Sequence, residues 1–192
     1  MIKDVSLRQL FPTEYIRVVT ELDHAAIAQH TIDFCKSIGK YTTYHSKEDS
    51  AEWAKHPEIQ KLIQDIKQVS NDFIQKTDRI EFKEDPYLLI WGNVYNEYDE
   101  HGSHNHPRAL FSGTYFANED PAYSSLQFDS PIESMKMHDT QHYKHNTFPY
   151  KPVAGDMLMW PSWLYHRVPQ QAKTEVPRVT LSFNIDYNQL RK

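Results

Sequence analysis

The feature that most constrains this chain is a change of hydrophobic period near Thr77. Upstream of it, Ile59, Leu62, Ile63, Ile66, Val69, Phe73 and Ile74 recur at i, i+3, i+4 and i+7. That spacing puts side chains on one face of an α-helix. Residues 57–76 are therefore expected to be helical. Pro57 falls in the first turn, where a missing N–H costs nothing, and the aliphatic stripe reads as core packing. Downstream, short β-branched and aromatic runs are separated by Pro, Asn and Asp. They cover residues 81–83, 87–96, 109–117, 125–129, 156–160 and 178–185. Such runs read as strands of a sandwich or jelly roll. Helices first and strands afterwards give an α+β, mainly β chain.

The segment before the long helix reads as support. Residues 9–20 have the composition and partial alternation of a strand. Asp23 is placed to N-cap a helix running to Ser37, with Gly39 just past its end. Ala26, Ile27, Phe34, Cys35 and Ile38 give that helix an apolar face. Residues 40–55 are polar without a period and read as a loop. With 192 residues, one domain with a real core is expected. In it, residues 1–78 would supply a strand and helical support, and residues 79–192 the β core. Residues 130–150 carry Met135, Met137, His138, His142, Tyr143, His145, Phe148 and Tyr150 without a period. They read either as an irregular surface connection or as a lid over a pocket.

Composition removes some classes of function. A net charge of −5 argues against nucleic acid, which selects a basic face. No apolar run approaches the ~20 residues that cross a bilayer, and the opening residues lack the apolar centre of a signal peptide. Cys35 stands alone, so neither an internal disulfide nor a cysteine zinc cluster is possible. The cytoplasm is the expected compartment.

The residues that can carry chemistry are histidines. His104 and His106 are two apart, and on a strand such residues share a face. Both could then address one metal ion, with His166 as a third ligand from another strand. The chain has 11 histidines, so two surface histidines at this spacing by chance is the competing reading. On the last strand Arg178, Thr180, Ser182 and Asn184 share one face, and Val179, Leu181, Phe183 and Ile185 the other. The polar face could simply be solvated. A guanidinium and a hydroxyl two residues apart also make a carboxylate clamp. The stretch from His166 to Arg178 is long enough to finish one strand, turn between Pro169 and Pro177 and start the next. An antiparallel neighbour would bring the clamp beside the metal.

Four motifs carry a resemblance: His104-x-His106-Pro107, Leu110-Phe-Ser-Gly-Thr-Tyr-Phe116, Pro152-x-x-Gly-Asp-Met-Leu-Met-Trp-Pro-Ser-Trp-Leu-x-His166 and Arg178-x-Thr-x-Ser-Phe-Asn184. Together with Leu10-Phe-Pro-Thr13 they make the chain resemble the small 2-oxoglutarate/Fe(II)-dependent oxygenases, similar in their core to prolyl hydroxylases. The resemblance covers most of the chain. It implies a double-stranded β-helix with the N-terminal helices packed on one sheet. It implies Fe(II) held by His104 and His166, and the 5-carboxylate of 2-oxoglutarate held by Arg178 and Thr180. The implied activity is a dioxygenase that uses O2, hydroxylates an unidentified substrate and releases succinate and CO2, with ascorbate as reductant in vitro.

The usual motif in such enzymes is His-x-Asp or His-x-Glu, so His-x-His is a departure. The usual site has two histidines and one carboxylate on one face of the ion. Here His106 replaces the carboxylate, Asp129 reaches in from another strand, or water fills the gap. Parity favours His106, since it shares a face with His104 if the segment is extended. Tyr95 could hydrogen-bond the cosubstrate through its phenol or be a core tyrosine, and Asn93 stands in a similar position. Trp91, Trp160 and Trp163 read as core or pocket wall. Gly113, inside a strand, implies a close backbone approach, and Gly155 a turn. The rivals are a cupin-like metal enzyme, a three-histidine zinc enzyme and a non-enzymatic ligand-binding jelly roll. The cupin-like rival wants a glutamate soon after His-x-His, where Arg108, Ala109, Leu110 and Phe111 stand. The zinc rival has no need of Arg178.

Overall fold

In a computed structural model, residues 13–78, 86–132 and 147–186 are described. Strand β1 (Ile16–Val19) leads to helix α1 (His24–Ser37). Asp23 caps α1, its carboxylate accepting from the Ala26 N–H, and Gly39 follows at φ +65°. Helix α3 (Pro57–Asp78) is the helix expected from the 3.6 period. Ile59, Leu62 and Ile66 of its stripe are fully buried.

The expected loop over 40–55 is instead a 3₁₀ turn, Thr43–His45, and a short helix α2, Lys47–Trp53. Its start is set by the Ser46 side chain, which accepts from Asp49 N–H. Only Trp53 of that helix is buried, so there is no apolar stripe to read.

Eight further strands follow among the described residues: β2 (Tyr87–Tyr95), β3 (His101–His104), β4 (Phe111–Phe116), β5 (Leu126–Asp129), β6 (Thr147–Tyr150), β7 (Asp156–Pro161), β8 (His166–Val168) and β9 (Arg178–Asp186). They form two antiparallel sheets, ordered β1-β7-β4-β9-β2 and β3-β8-β5-β6. Strand β6 lies in a segment expected to be irregular. Pro149 hides it from a strand reading, yet proline is tolerated because β6 is an edge strand among the described residues. The other expectations for 130–150, from Met135 to His145 and including a lid, lie outside the described residues, as do residues 9–12 and the strand expected at 81–83.

The five-stranded sheet is covered on both faces. On one, Val179, Leu181, Phe183 and Ile185 of β9, with Met157 and Met159 of β7, join Ile27, Ile59, Leu62 and Ile66 of the helices in one apolar cluster. On the other, Phe116, Leu158 and Trp160 pack against Leu126, Phe128 and Val168 of the four-stranded sheet. The two sheets therefore stack face to face as a jelly roll. This sandwiching explains why β9 has both parities buried. Odd residues enter the helix layer, and even residues face the space between the sheets.

Gly113 has no room for a side chain between its neighbours in the sheet. A Cβ there would lie 2.1 Å from the Phe183 ring and 2.4 Å from the Leu158 carbonyl. Gly155, at φ +86°, makes the turn into β7 that only glycine adopts without strain.

Candidate functional site

Strand β3 pairs with β8 so that His104 lies directly opposite His166. Their ring centroids are 4.3 Å apart. His106 completes a triangle, 5.0 Å from His104 and 5.2 Å from His166. One ring nitrogen from each can be chosen so that all three lie within 4.8 Å of one another. The route differs from the parity argument, because β3 ends at His104. The His106 N–H donates to the Ser162 carbonyl instead of continuing the ladder, and Pro107 has no N–H to resume it. The backbone turns and still delivers the third imidazole.

The surroundings suit metal binding. A carbonyl can only accept, so His104 Nδ1 donates to Gly102 O at 2.8 Å and His166 Nδ1 to Leu164 O at 3.0 Å. In the neutral rings the Nε2 lone pairs are then free. Burial and the neighbouring imidazoles push His166 down to about 3 and His106 to about 4. Both are neutral at pH 7, as a metal ligand must be.

Sequence reasoning missed His101. Its ring stacks on His104 at 4.1 Å. The residue as a whole is exposed, yet desolvation of its ring, with His104 beside it, pushes it down to about 4. Its spacing of three from His104 gives no strand signal, and the pair meets only through a register irregularity in β3. Asp129, the alternative third ligand, accepts from the Ser103 hydroxyl at 2.7 Å. It lies outside the cluster of three nitrogens.

The four histidines share a narrow cavity with Arg178, Thr180, Tyr95 and Trp160. The expected side-by-side arrangement of clamp and metal strands is not what the chain adopts. Strand β9 pairs with β2 and β4, whereas His166 sits in the other sheet. The clamp faces the imidazoles across the sandwich, because residues 169–177 carry the chain from one sheet to the other. Arg178 is 1% exposed and lies between the rings of Tyr95 and Phe116, 5.4 and 5.7 Å from their centroids. One Nη donates to Ser124 O. Among the described residues its Nε has no partner and it has no carboxylate. Burial lowers it to about 10, so it remains a cation at pH 7. Trp160, on the same wall, has an Nε1–H that is also unpartnered among the described residues. Buried donors without acceptors fit an oxygen-rich anion.

The remaining expected residues distribute as follows. Tyr95 is the cross-strand partner of Arg178, and Asn93 that of Thr180. Asn93 does not line the cavity, and its amide donates to Ser182 Oγ at 3.1 Å. Trp91 and Trp160 are buried cavity wall, but Trp163 is 52% exposed and belongs to neither core nor cavity. It lies in the turn between β7 and β8, beyond the end of the sheet.

A family model described as "Putative 2OG-Fe(II) oxygenase" matches residues 89–184, half of the chain. No curated protein sequence matches it. Solved structures share the fold at low identity. A prolyl-4-hydroxylase from Pseudomonas putida superposes with a TM-score of 0.61 at 12% identity, over 91% of this chain and 92% of that one. AviO1 from Streptomyces viridochromogenes gives 0.58 at 12% identity, over 90% of each chain. HygX from Streptomyces hygroscopicus with iron bound gives 0.51 at 13% identity, over 91% of this chain and 82% of that one.

Proposed function

The chain belongs to the 2OG-Fe(II) oxygenase family, and on that premise we propose that it is a dioxygenase in which His104, His106 and His166 hold Fe(II). Arg178 and Thr180 hold the distal carboxylate of 2-oxoglutarate. Bound Fe(II), with 2-oxoglutarate and O2, supplies oxidative decarboxylation to succinate and CO2 coupled to hydroxylation of a primary substrate. The observation that carries the reading is Arg178, a fully buried guanidinium without a carboxylate partner among the described residues, in one cavity with three converging imidazoles. Burying such a cation costs several kcal/mol, which an incoming carboxylate offsets.

Each side chain has a task that needs no contribution from the metal. The guanidinium takes the carboxylate as a planar fork, and the Thr180 hydroxyl adds a hydrogen bond. Tyr95 and Phe116 hold the guanidinium between their faces. Asn93 acts one step back, through Ser182. The Trp160 N–H is a further donor to the same ligand. Phe128 and Trp160, packed on His166, keep water from its buried side.

The wider assignments follow from this reading. Residues 1–192 form one domain, whose first part supports the sandwich: β1 completes the five-stranded sheet through β7. None of the described helices is long and apolar enough to cross a membrane. Cytoplasmic residence is proposed with the lone, buried Cys35 as support. Net charge −5 argues against a nucleic-acid substrate.

The test is spectroscopic, then chemical. Anaerobic Fe(II) plus 2-oxoglutarate should give a weak visible charge-transfer band, and O2 with ascorbate should then give succinate. A protein with iron verified but neither band nor succinate would overturn the reading. His106→Ala should lose iron and Asp129→Ala should keep it. The reverse result would move the third ligand to Asp129.

A further inference from the structure

The three imidazoles are not held alike. His104 and His166 donate their Nδ1 protons to main-chain carbonyls, contacts that fix Nε2 as the free lone pair. His106 meets a side chain instead, its Nδ1 3.3 Å from Asn184 Nδ2. An amide NH2 can only donate. This contact therefore selects the opposite tautomer of His106, with the lone pair at Nδ1 and the proton at Nε2. In that form the ring offers the cavity a hydrogen-bond donor and no metal-binding lone pair at Nε2.

The amide can reverse this without losing a bond. Ser112 Oγ lies 2.8 Å from Asn184 Oδ1 and 3.0 Å from Ser162 Oγ, and both serines are 1% exposed. In the first arrangement Ser162 donates to Ser112, Ser112 to Asn184 Oδ1, and Asn184 Nδ2 to His106 Nδ1. Turned about its last torsion, the amide presents Oδ1 to a His106 Nδ1–H and Nδ2–H to Ser112 Oγ. The Ser112 proton then goes to Ser162. The ring loses a proton at Nε2 and gains one at Nδ1, so the exchange with solvent balances. The register holds the parts in place. Ser112 is paired with Asn184 and with Trp160, and the Ser162 carbonyl holds the His106 N–H at 2.9 Å.

We propose that Asn184 is a positioning residue that sets the tautomer of His106, donating to it in the metal-free protein and accepting from it when His106 ligates a metal. The inference rests on the reading of His106 as a ligand given above. It makes His106 the one histidine of the three whose Nδ1 meets a side chain and not a main-chain carbonyl, so a single substitution can change its tautomer while leaving those of the other two untouched.

Nitrogen-15 NMR of the full chain at mildly alkaline pH reads imidazole tautomers directly. Metal-free wild type should show Nε2–H at His106 and Nδ1–H at His104 and His166. Zn(II), a diamagnetic probe, should convert His106 to Nδ1–H. In Asn184→Asp the side chain can only accept, so His106 should already be Nδ1–H without metal, with Zn(II) affinity kept or raised. Asn184→Leu, close in shape but mute, should bind Zn(II) about 10–100-fold more weakly. If the Leu variant fails to fold by circular dichroism, the Asp variant decides alone. The proposal is overturned if metal-free His106 has the same tautomer in wild type and Asn184→Asp, or if a folded Asn184→Leu binds Zn(II) as tightly as wild type. A wild type that takes up no metal would sink the ligand assignment instead, and the metal-free tautomer comparison would still decide the role of Asn184.

Discussion

Two arginines show how differently this chain completes a charge that the fold removes from water: beside Arg17 that charge is the Asp156 carboxylate, and at Arg178 it is the guanidinium itself. Arg17 on β1 meets Asp156 on β7 through Nε to Oδ2 at 2.9 Å and Nη2 to Oδ1 at 2.7 Å. Tyr150 of β6 donates to the same carboxylate and accepts from Arg17 Nε. The Asp156 side chain is 1% exposed and that of Arg17 is 48% exposed. The carboxylate is thus satisfied, and its hydrogen bond is the main reason the Arg17 guanidinium holds its proton more firmly. Arg178 is the deeper of the two and has aromatic faces and one carbonyl, but no anion among the described residues. The closed group joins strands from both sheets. The open one is left to be completed by a ligand. A buried charge therefore marks a candidate site here only when its counter-ion is not built in.

The sharpest way to break this comparison is to remove the open cation. Arg178→Met keeps length and apolar packing. It should weaken 2-oxoglutarate binding by about 2–5 kcal/mol, the cost of truncating one partner of a desolvated pair. Thermal stability of the ligand-free protein should hold or rise, because an uncompensated buried charge is gone. Arg178→Lys should recover only part of the binding, since the planar fork is lost. Calorimetry for binding and for unfolding reads both halves. Unchanged binding with lost stability would make Arg178 a structural residue like Arg17.

The closed group should respond the other way. Asp156→Asn should lower the unfolding midpoint by several degrees and leave 2-oxoglutarate affinity unchanged. A loss of affinity in a folded Asp156→Asn protein would show that the two charges are coupled through β7, and the contrast between them would fail.

How much of this could be read from the chain depends on whether a residue's neighbours come from its own strand. The parity of β9 was legible, because Arg178, Thr180, Ser182 and Asn184 alternate with apolar residues that reach the helix layer. The long helix was legible for the same reason at a different period. The assignment of β8 and β9 to opposite sheets was not, because a nine-residue connection is compatible with a hairpin or a crossing. His101 was invisible because an irregular register brings it to His104. The Ser112–Asn184 relay was invisible because it needs the pairing of β4 with β9. The pairing of Arg17 with Asp156 likewise depends on β1 joining β7, a long-range contact that local pattern does not encode.

Acid sharpens the comparison on the cavity side. The unfolded reference for histidine is 6.5, and in the fold His101 and His106 lie near 4 and His166 near 3. Between these limits the unfolded chain binds more protons, so stability rises with pH. The contribution is fully present above about pH 6.5. It is lost progressively as pH falls toward 4 and then 3. Metal-free protein should therefore show a falling unfolding midpoint through that window, and saturating Zn(II), which needs neutral rings, should raise the midpoint near neutrality without changing its slope there, because the folded rings are already unprotonated. A midpoint that is flat from pH 7 to about 4 would mean that these imidazoles are not desolvated.

The smallest expected effect concerns Tyr95, for which two roles compete. If its phenol hydrogen-bonds the cosubstrate, Tyr95→Phe removes a neutral hydrogen bond and should weaken 2-oxoglutarate binding by roughly 1 kcal/mol. If its ring face holds the guanidinium, Phe retains that face and Tyr95→Leu is the damaging change. Desolvated cation–π contacts are worth about 1–2 kcal/mol. Geometry supports the second role. The guanidinium carbon lies 5.4 Å from the Tyr95 centroid, in register across the β2–β9 ladder. Phe116, which has no hydroxyl, does the same work from the other side at 5.7 Å. Expected affinities are therefore near wild type for Tyr95→Phe and several-fold weaker for Tyr95→Leu, read by titration calorimetry on iron-loaded protein. Equal losses in both variants would return the role to the phenol. The comparison with Arg17 then gains a term: Tyr150 serves its arginine through oxygen, and Tyr95 serves Arg178 through its ring.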